Sequence, residues 1–285
     1  HLVVLTNLDR EHLDNYNNSY TKLEASMLEL MNSIPFYGKV FINGDDKNSV
    51  RLLAKINRAI CTFGLNKKND ITAKSIKYVD GKKMQFDVIF SKRTYKVCTN
   101  LLGKHNVYNI LSAISVCLHL GIPITSAIKS LSSFFGARRR FDVYEDIFIN
   151  EHKPIIIDDY GHHPTEIHST LETINKLYPR KKIVMIFQPH RFSRTKAHWR
   201  LFLDAFKTLD QIILLPTYSA GEKNNSYDSS FIYKKIKNKN KSLLKSIDEV
   251  NNVLKTIDFK NSILVLQGAG DIKDIMSIIK RNYDC

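Results

Sequence analysis

The stretch Ile155-Ile156-Ile157-Asp158-Asp159-Tyr160-Gly161-His162-His163-Pro164-Thr165-Glu166 decides how the chain is read. Three β-branched apolar residues in a row predict a buried strand. The run then stops in two carboxylates, a phenol and two imidazoles. Pro164 suits the first turn of a helix, and Thr165 and Glu166 add polar and acidic character to that turn. Ile167, Leu171, Ile174 and Leu177 continue at helical spacing. The polar cluster therefore lies on the loop leaving the carboxyl end of a strand, where open α/β sheets bind ligands. A helix cap with solvated neighbours would account for an isolated Asp-Asp pair. Six consecutive polar or glycine residues, 158–163, between a strand and a helix favour a site.

Downstream of this stretch the pattern stays regular. Strands are predicted at 154–158, 182–187, 211–215 and 262–266, with helices at 164–177, 195–208, 228–236, 246–257 and 271–282. Such alternation predicts an α/β fold with a mostly parallel sheet covered on both faces. Upstream, strands are predicted at 2–6, 40–42 and 60–63, and helices at 20–34 and 50–56. Residues 71–79 and 83–90 alternate polar and apolar around Asp80-Gly81, a hairpin signal, with a third strand at 93–98. Helices at 103–120 and 125–134 follow. Gly136-Ala137-Arg138-Arg139-Arg140-Phe141 is the predicted junction, giving domains 1–136 and 137–285.

The chain has 285 residues, 43% of them apolar and 10% aromatic, enough to bury a sizeable core. No apolar run approaches the ~20 residues of a membrane-spanning helix, so no membrane insertion is expected. His1 is not a natural start, and strand begins at once. The chain is therefore expected to be a fragment of a longer protein. Cys61, Cys98, Cys117 and Cys285 are scattered without CxxC spacing, which suits a reducing cytoplasm. A net charge of +15 fits either nucleic acid binding or an enzyme for anionic small molecules. The lysines are spread along the chain, the run at 234–245 reads as a solvated segment, and no nucleic-acid-binding motif occurs. The second class is favoured, and no nucleic acid partner is expected.

Four further groups could carry chemistry. Phe187-Gln188-Pro189-His190-Arg191-Phe192-Ser193-Arg194-Thr195 follows the strand at 182–187, on the same sheet edge as Asp159 and His162. Arg191 and Arg194 are three apart, and two guanidiniums at a helix start make a fork for a carboxylate or phosphate. Cations there are unfavourable beside the helix dipole unless an anion compensates them. Gly103-Lys104-His105-Asn106-Val107-Tyr108-Asn109 places Asn106 and Asn109 on one helix face. An Asn amide can pair with the N6/N7 edge of adenine, although Asn near a helix start is more often a cap. Arg138-Arg139-Arg140 could close onto phosphates. His12, between Glu11 and Asp14, could help hold a divalent cation near phosphates. The phosphate cradle GxxxxGK[ST] is absent, and Gly268-Ala269-Gly270 lacks the third glycine of a dinucleotide fingerprint.

In this order, the motifs resemble the Mur ligase family. They run from Thr6-Asn7, His12-Leu13-Asp14 and Pro35-Phe36-Tyr37-Gly38 through Gly103 to Asn109, Arg139-Arg140-Phe141 and Asp158 to Glu166. Phe187 to Thr195, Tyr218-Ser219-Ala220-Gly221-Glu222 and Gln267-Gly268-Ala269-Gly270 complete them. The resemblance covers nearly all of the chain. It implies the C-terminal part of a central ATPase domain followed by a Rossmann-like C-terminal domain. The phosphate loop and the UDP-sugar domain would be supplied by a missing N-terminal part of the same enzyme. It also implies a cytoplasmic, ATP- and Mg²⁺-dependent ligase that joins L-alanine to the carboxylate of UDP-N-acetylmuramate through an acyl phosphate, in peptidoglycan precursor synthesis. Addition of a recycled tripeptide to the same sugar nucleotide is the nearest rival. By the resemblance, His12 helps hold Mg²⁺, and Asn106 and Asn109 contact adenine. Arg140 and Asp159 meet ATP and, with His162, are catalytic. Tyr160, His162, His190, Arg191 and Arg194 face the muramyl and alanine end. Glu11 departs from the family's usual Asp, which lengthens the side chain beside His12.

Overall fold

The computed structural model describes residues 1–10 and 13–283. They form two compact units, 1–135 and 136–285. In the first, β1 (Leu2–Leu5), β2 (Lys39–Asn43), β3 (Ala59–Gly64) and β4 (Ile71–Val79) run parallel. β5 (Lys83–Phe90) and β6 (Arg93–Thr99) fold back antiparallel, and the sheet has the order β1-β2-β3-β4-β5-β6. Asp80 and Gly81 both take positive φ in the β4–β5 turn, as the sequence signal required. The helices are α1 (Tyr20–Ser33), α2 (Lys47–Val50), α3 (Lys104–His119) and α4 (Ile124–Leu131). Ser19 caps α1, and Leu23, Met31 and Ile34 pack with Val40 and Ile42 of β2. The helix expected at 50–56 is instead α2 followed by a 3-10 turn, Leu53–Lys55. Asp46 accepts from the Ser49 N–H and starts the helix three residues early.

The second unit is the parallel α/β layer predicted around residues 155–166. β7 (Asp142–Tyr144) is an antiparallel edge strand on β8 (Ile155–Asp159), and α5 (Pro164–Leu177) follows. Then come β9 (Lys182–Phe187), α6 (Phe192–Ala205), β10 (Gln211–Leu214), α7 (Ser229–Lys235), β11 (Lys241–Leu243), α8 (Val250–Leu254), β12 (Ser262–Gln267) and α9 (Ile275–Tyr283). The order is β11-β10-β9-β12-β8-β7. β12 is parallel to both β8 and β9 and lies between them. Alternate residues of the central strands, among them Ile156, Ile186, Ile213 and Leu264, pack with Val250 and Leu254 of α8 and Ile275 and Ile279 of α9. On the opposite face Phe187 meets Phe202 and Phe206, in and just after α6. Each large aliphatic or aromatic side chain buried in these layers contributes roughly 1.5–3 kcal/mol. Two short edge strands, β7 and β11, were not predicted from the sequence. Among the described residues no helix is long and apolar enough to cross a membrane.

Candidate active site at the carboxyl edge of the second sheet

Because β8, β12, β9 and β10 are parallel, their carboxyl ends deliver Asp159, Gln267, Gln188 and the segment after Leu214 to one edge. The β8 end is tied inward. Asp159 is 6% exposed. Its Oδ2 accepts from Phe141 N at 2.9 Å, and its Oδ1 accepts from Gly161 N and Gln267 Nε2, both at 2.7 Å. Gln267 Nε2 also donates to Gly161 O. A Cβ at Gly161 would lie 2.5 Å from Gln267 Nε2 and 2.6 Å from Asp159 Oδ1, so this close approach requires glycine. Asp159, expected to face ATP, has both carboxylate oxygens engaged by protein donors.

Asp158 is clasped too. Arg139 Nε lies 3.0 and 3.1 Å from its two oxygens, and Arg139 Nη2 donates to Gly268 O. Burial pushes the Asp158 carboxyl up to about 6, against the pull of Arg139. Arg139 and Phe141 hold positive φ, a strained turn fixed by these bonds and by Tyr160 N donating to Arg139 O. Of the neighbouring guanidiniums Arg139 and Arg140, Arg140 is the more available. Its side chain is about half exposed, sits over the Tyr160 ring at 5.2 Å and lies 3.5 Å from Glu166 Oε1. Glu166 closes a capping box with His163 at the start of α5. Burial alone would raise its carboxyl. Hydrogen bonds from His162 N and His163 N, with His162 and Arg140 nearby, hold it below the ordinary value.

Tyr160, His162, His190 and Tyr218 form a chain of rings. Tyr160 meets His162 edge-on at 5.3 Å, His162 lies 5.1 Å from His190, and His190 stacks on Tyr218 at 5.4 Å. His162 Nδ1 is 3.1 Å from Tyr160 O. A carbonyl only accepts, so that nitrogen carries the proton. Burial pushes the His190 imidazole down to about 4, and His162, Arg194 and Arg191 add to the shift. Tyr218 also lines a cleft of about 390 Å³ with Gln188, Thr217, Ser219, Ser246 and Asp271.

Arg191 and Arg194, expected to form a fork, sit in different surroundings. Arg194 is 8% exposed, and its Nη1 is 3.1 Å from His190 O and 3.2 Å from His190 Nδ1. Arg191 caps α6 with φ +69, and its N–H donates to Tyr218 O. The compensating anion at this helix start belongs to the protein. Glu222 accepts from Ser193 N at 2.9 Å and from Ser193 Oγ. Glu222 and Gln267 stood in the sequence motifs without a role. Neither sits beside the group it serves in the chain, so only the sheet order reveals the contact.

In the first unit, Asn106 and Asn109 share the first turns of α3. Asn106 is buried; its Nδ2 donates to Leu102 O at 2.7 Å, and its Oδ1 accepts from Asn109 Nδ2 at 3.2 Å. Of the two, only Asn109 is exposed, and its Nδ2 is held by Asn106 Oδ1. Tyr108 OH donates to Asp45 Oδ2, with burial and Asp45 raising the phenol. His12 lies outside the described residues. Among the described residues no three His, Cys, Asp or Glu side chains are grouped to hold a metal ion.

The profile of the Mur ligase middle domain matches residues 1–117, and that of the Mur ligase glutamate ligase domain matches residues 139–270. A UDP-N-acetylmuramate--L-alanine ligase from Vesicomyosocius okutanii subsp. Calyptogena okutanii (strain HA) is 39% identical, over 99% of this chain and 61% of its own length. Its counterpart from Ruthia magnifica subsp. Calyptogena magnifica is 37% identical with the same coverage. The solved UDP-N-acetylmuramate-alanine ligase of Thermotoga maritima matches with a TM-score of 0.76 and 26% identity, covering 98% of this chain and 59% of that one. A murein peptide ligase from Psychrobacter arcticus shares the fold, with a TM-score of 0.67 and 22% identity, covering 98% of this chain and 57% of that one. The chain thus spans about three fifths of the length of the curated relatives it matches.

Proposed function

The chain belongs to the Mur ligase family, and from that premise we propose that it is part of a cytoplasmic, ATP-dependent ligase joining L-alanine to UDP-N-acetylmuramate. The observation that carries this reading is the 39% identity, over 99% of the chain, to a relative with that name. The geometry supports it. An amide bond made through an acyl phosphate needs anionic oxygens held and an amine brought up to a carbonyl carbon. The second unit gathers Arg140, Arg191, His162, His190 and Tyr160 at one sheet edge, with the carboxylates of Asp158, Asp159 and Glu222 engaged by protein donors.

In this reading Arg140 exchanges its loose pairing with Glu166 for phosphoryl oxygens, and charge-assisted hydrogen bonds from a guanidinium suit that contact. Tyr160 supports Arg140 through its ring face. Arg191 binds a carboxylate. His162 and His190 border the place where the amine attacks. Asp159 keeps the Phe141 turn and the His162 loop in register and does not touch the nucleotide. Asn109 reads adenine, held by Asn106. Mg²⁺, with His12 as its ligand, would neutralise charge on the transferring phosphoryl group.

The test uses the full-length protein with ATP, Mg²⁺ and UDP-N-acetylmuramate, and compares L-alanine with the murein tripeptide. Phosphate release and product mass are read together. Alanine-dependent ligation, one phosphate per amide bond, is expected. Preference for the tripeptide would move the chain to the recycling ligases, and no amine-dependent turnover would remove the reading altogether.

A further inference from the structure

Arg194 and Arg191 start the same helix, yet the structure separates their tasks. A guanidinium has five N–H donors and no acceptor. The contact of Arg194 Nη1 with His190 Nδ1 therefore runs one way, with arginine donating to an unprotonated Nδ1. An imidazolium has no lone pair to offer, so the ring is neutral and its proton is on Nε2. The same Nη1 also donates to His190 O, which fixes the ring relative to its own backbone. The ring stacks on Tyr218 at an interplanar angle of 20° and packs against His162. A parallel bridge between His190 and Tyr218 anchors the main chain. The charged or titratable groups acting on it are His162 from the β8 loop, Arg191 and Arg194 from the start of α6, and Glu222 from the β10 loop. Only Glu222 favours a proton on the ring. Arg194 is buried and cannot turn to a ligand without abandoning its contacts with His190.

We propose that Arg194 is a positioning residue that fixes His190 as a neutral imidazole, and that the His190 Nε2–H donates a hydrogen bond to an anionic oxygen of the substrate, carboxylate or phosphoryl. His190 is then neither the base that takes the proton of the amine nor an acid. It is a fixed dipole that carries no net charge. The substrate oxygen rests on the ligase reading above; the state of the ring does not.

Two measurements on the full-length protein test this. Nitrogen-15 histidine spectra of the resting protein read the ring directly. His190 should show the neutral Nε2–H pattern from pH 8 to about pH 5. Arg194→Met should move its titration toward the ordinary histidine value with mixed tautomers, and Arg194→Lys should restore part of the shift. An imidazolium or an Nδ1–H ring at pH 7 in the wild type, or an unchanged titration in Arg194→Met, overturns the assignment. The second measurement is kinetic. Gln keeps an N–H near the position of Nε2, so His190→Gln should stay within about tenfold of wild type in kcat/KM while His190→Ala falls further. Equal loss in both variants overturns the donor role. A higher KM for alanine would assign the oxygen to the alanine carboxylate, and a lower kcat at constant KM to the reacting phosphoryl or acyl oxygens. If the wild type shows no turnover, the ligase reading fails while the spectra still decide the state of the ring.

Discussion

Asp158 and Asp159 are adjacent in sequence and face different partners, and the difference predicts a pH effect. The Asp158 carboxyl is raised from 3.8 to about 6. The folded state therefore keeps a proton that the unfolded chain has released between about pH 4 and pH 6. Its stabilising contribution is complete below about pH 4 and is lost as the pH rises through about 6, some 3 kcal/mol in all at about 1.4 kcal/mol per pKa unit. Asp158→Asn cannot ionise, so its stability should gain on the wild type by up to that amount across this window. Urea melts at pH 4, 5, 6 and 7 read the difference, and parallel pH profiles would contradict it. A second pair of neighbours also divides. Asn106→Ala leaves the Leu102 carbonyl without its donor, so stability should fall by about 1–3 kcal/mol. Asn109→Ala, at an exposed position, should cost under about 0.5 kcal/mol but weaken ATP binding in the full-length protein by about 1–3 kcal/mol. Melts combined with calorimetric ATP titration separate the two, and unchanged ATP affinity in Asn109→Ala would remove the adenine role. The sequence singled out all four residues but not their directions. Two of the three donors to Asp159 come from Phe141 and Gln267, 18 and 108 positions away, which no local pattern can show.

The long strands and helices were legible because each has an uninterrupted period. β9, predicted at 182–187, is found at Lys182–Phe187. β7 and β11 were not legible, because three residues on a sheet edge carry too few side chains to show alternation. Helix starts failed for a related reason. α6 was predicted from Thr195 and begins at Phe192. Arg191, in a left-handed conformation, offers no side-chain cap, and Glu222, 29 positions downstream of Ser193, provides the acceptor. A cap supplied from another loop leaves no signature in the local sequence. It should still behave energetically as a cap. Glu222→Ala should lower stability by about 0.5–2 kcal/mol, and Glu222→Gln by less, because the amide oxygen can still accept from Ser193 N. Denaturant midpoints of the three proteins test this; identical midpoints would mean that the contact does not stabilise α6.

At the scale of the whole molecule, the two units each carry their own core and their own sheet. The alternation after residue 154 predicted the second unit's parallel sheet, while the insertion of β12 between β8 and β9 had no sequence signal. That insertion brings Gln267 and Gly268 beside Asp159 and Gln188, so it completes the site. The 285 residues carry no GK[ST] phosphate-loop motif. Three Gly-Lys pairs occur, at Gly38-Lys39, Gly81-Lys82 and Gly103-Lys104, and none is followed by Ser or Thr. Gly38 precedes the amino end of β2, away from the carboxyl edge, and Gly81 lies in the β4–β5 turn. Gly103 caps α3 with φ +97 and has no side chain to contribute. Catalysis of phosphoryl transfer is almost wholly positioning and charge stabilisation around the phosphates. A chain without that motif is therefore expected to fail at the first chemical step. The 285-residue polypeptide, supplied with ATP, Mg²⁺, UDP-N-acetylmuramate and L-alanine, should release no alanine-dependent phosphate and form no product detectable by mass, whereas the full-length protein should do both. Turnover by the 285 residues alone, above a heat-inactivated control, would show that the cradle lies within them in a form their sequence does not reveal.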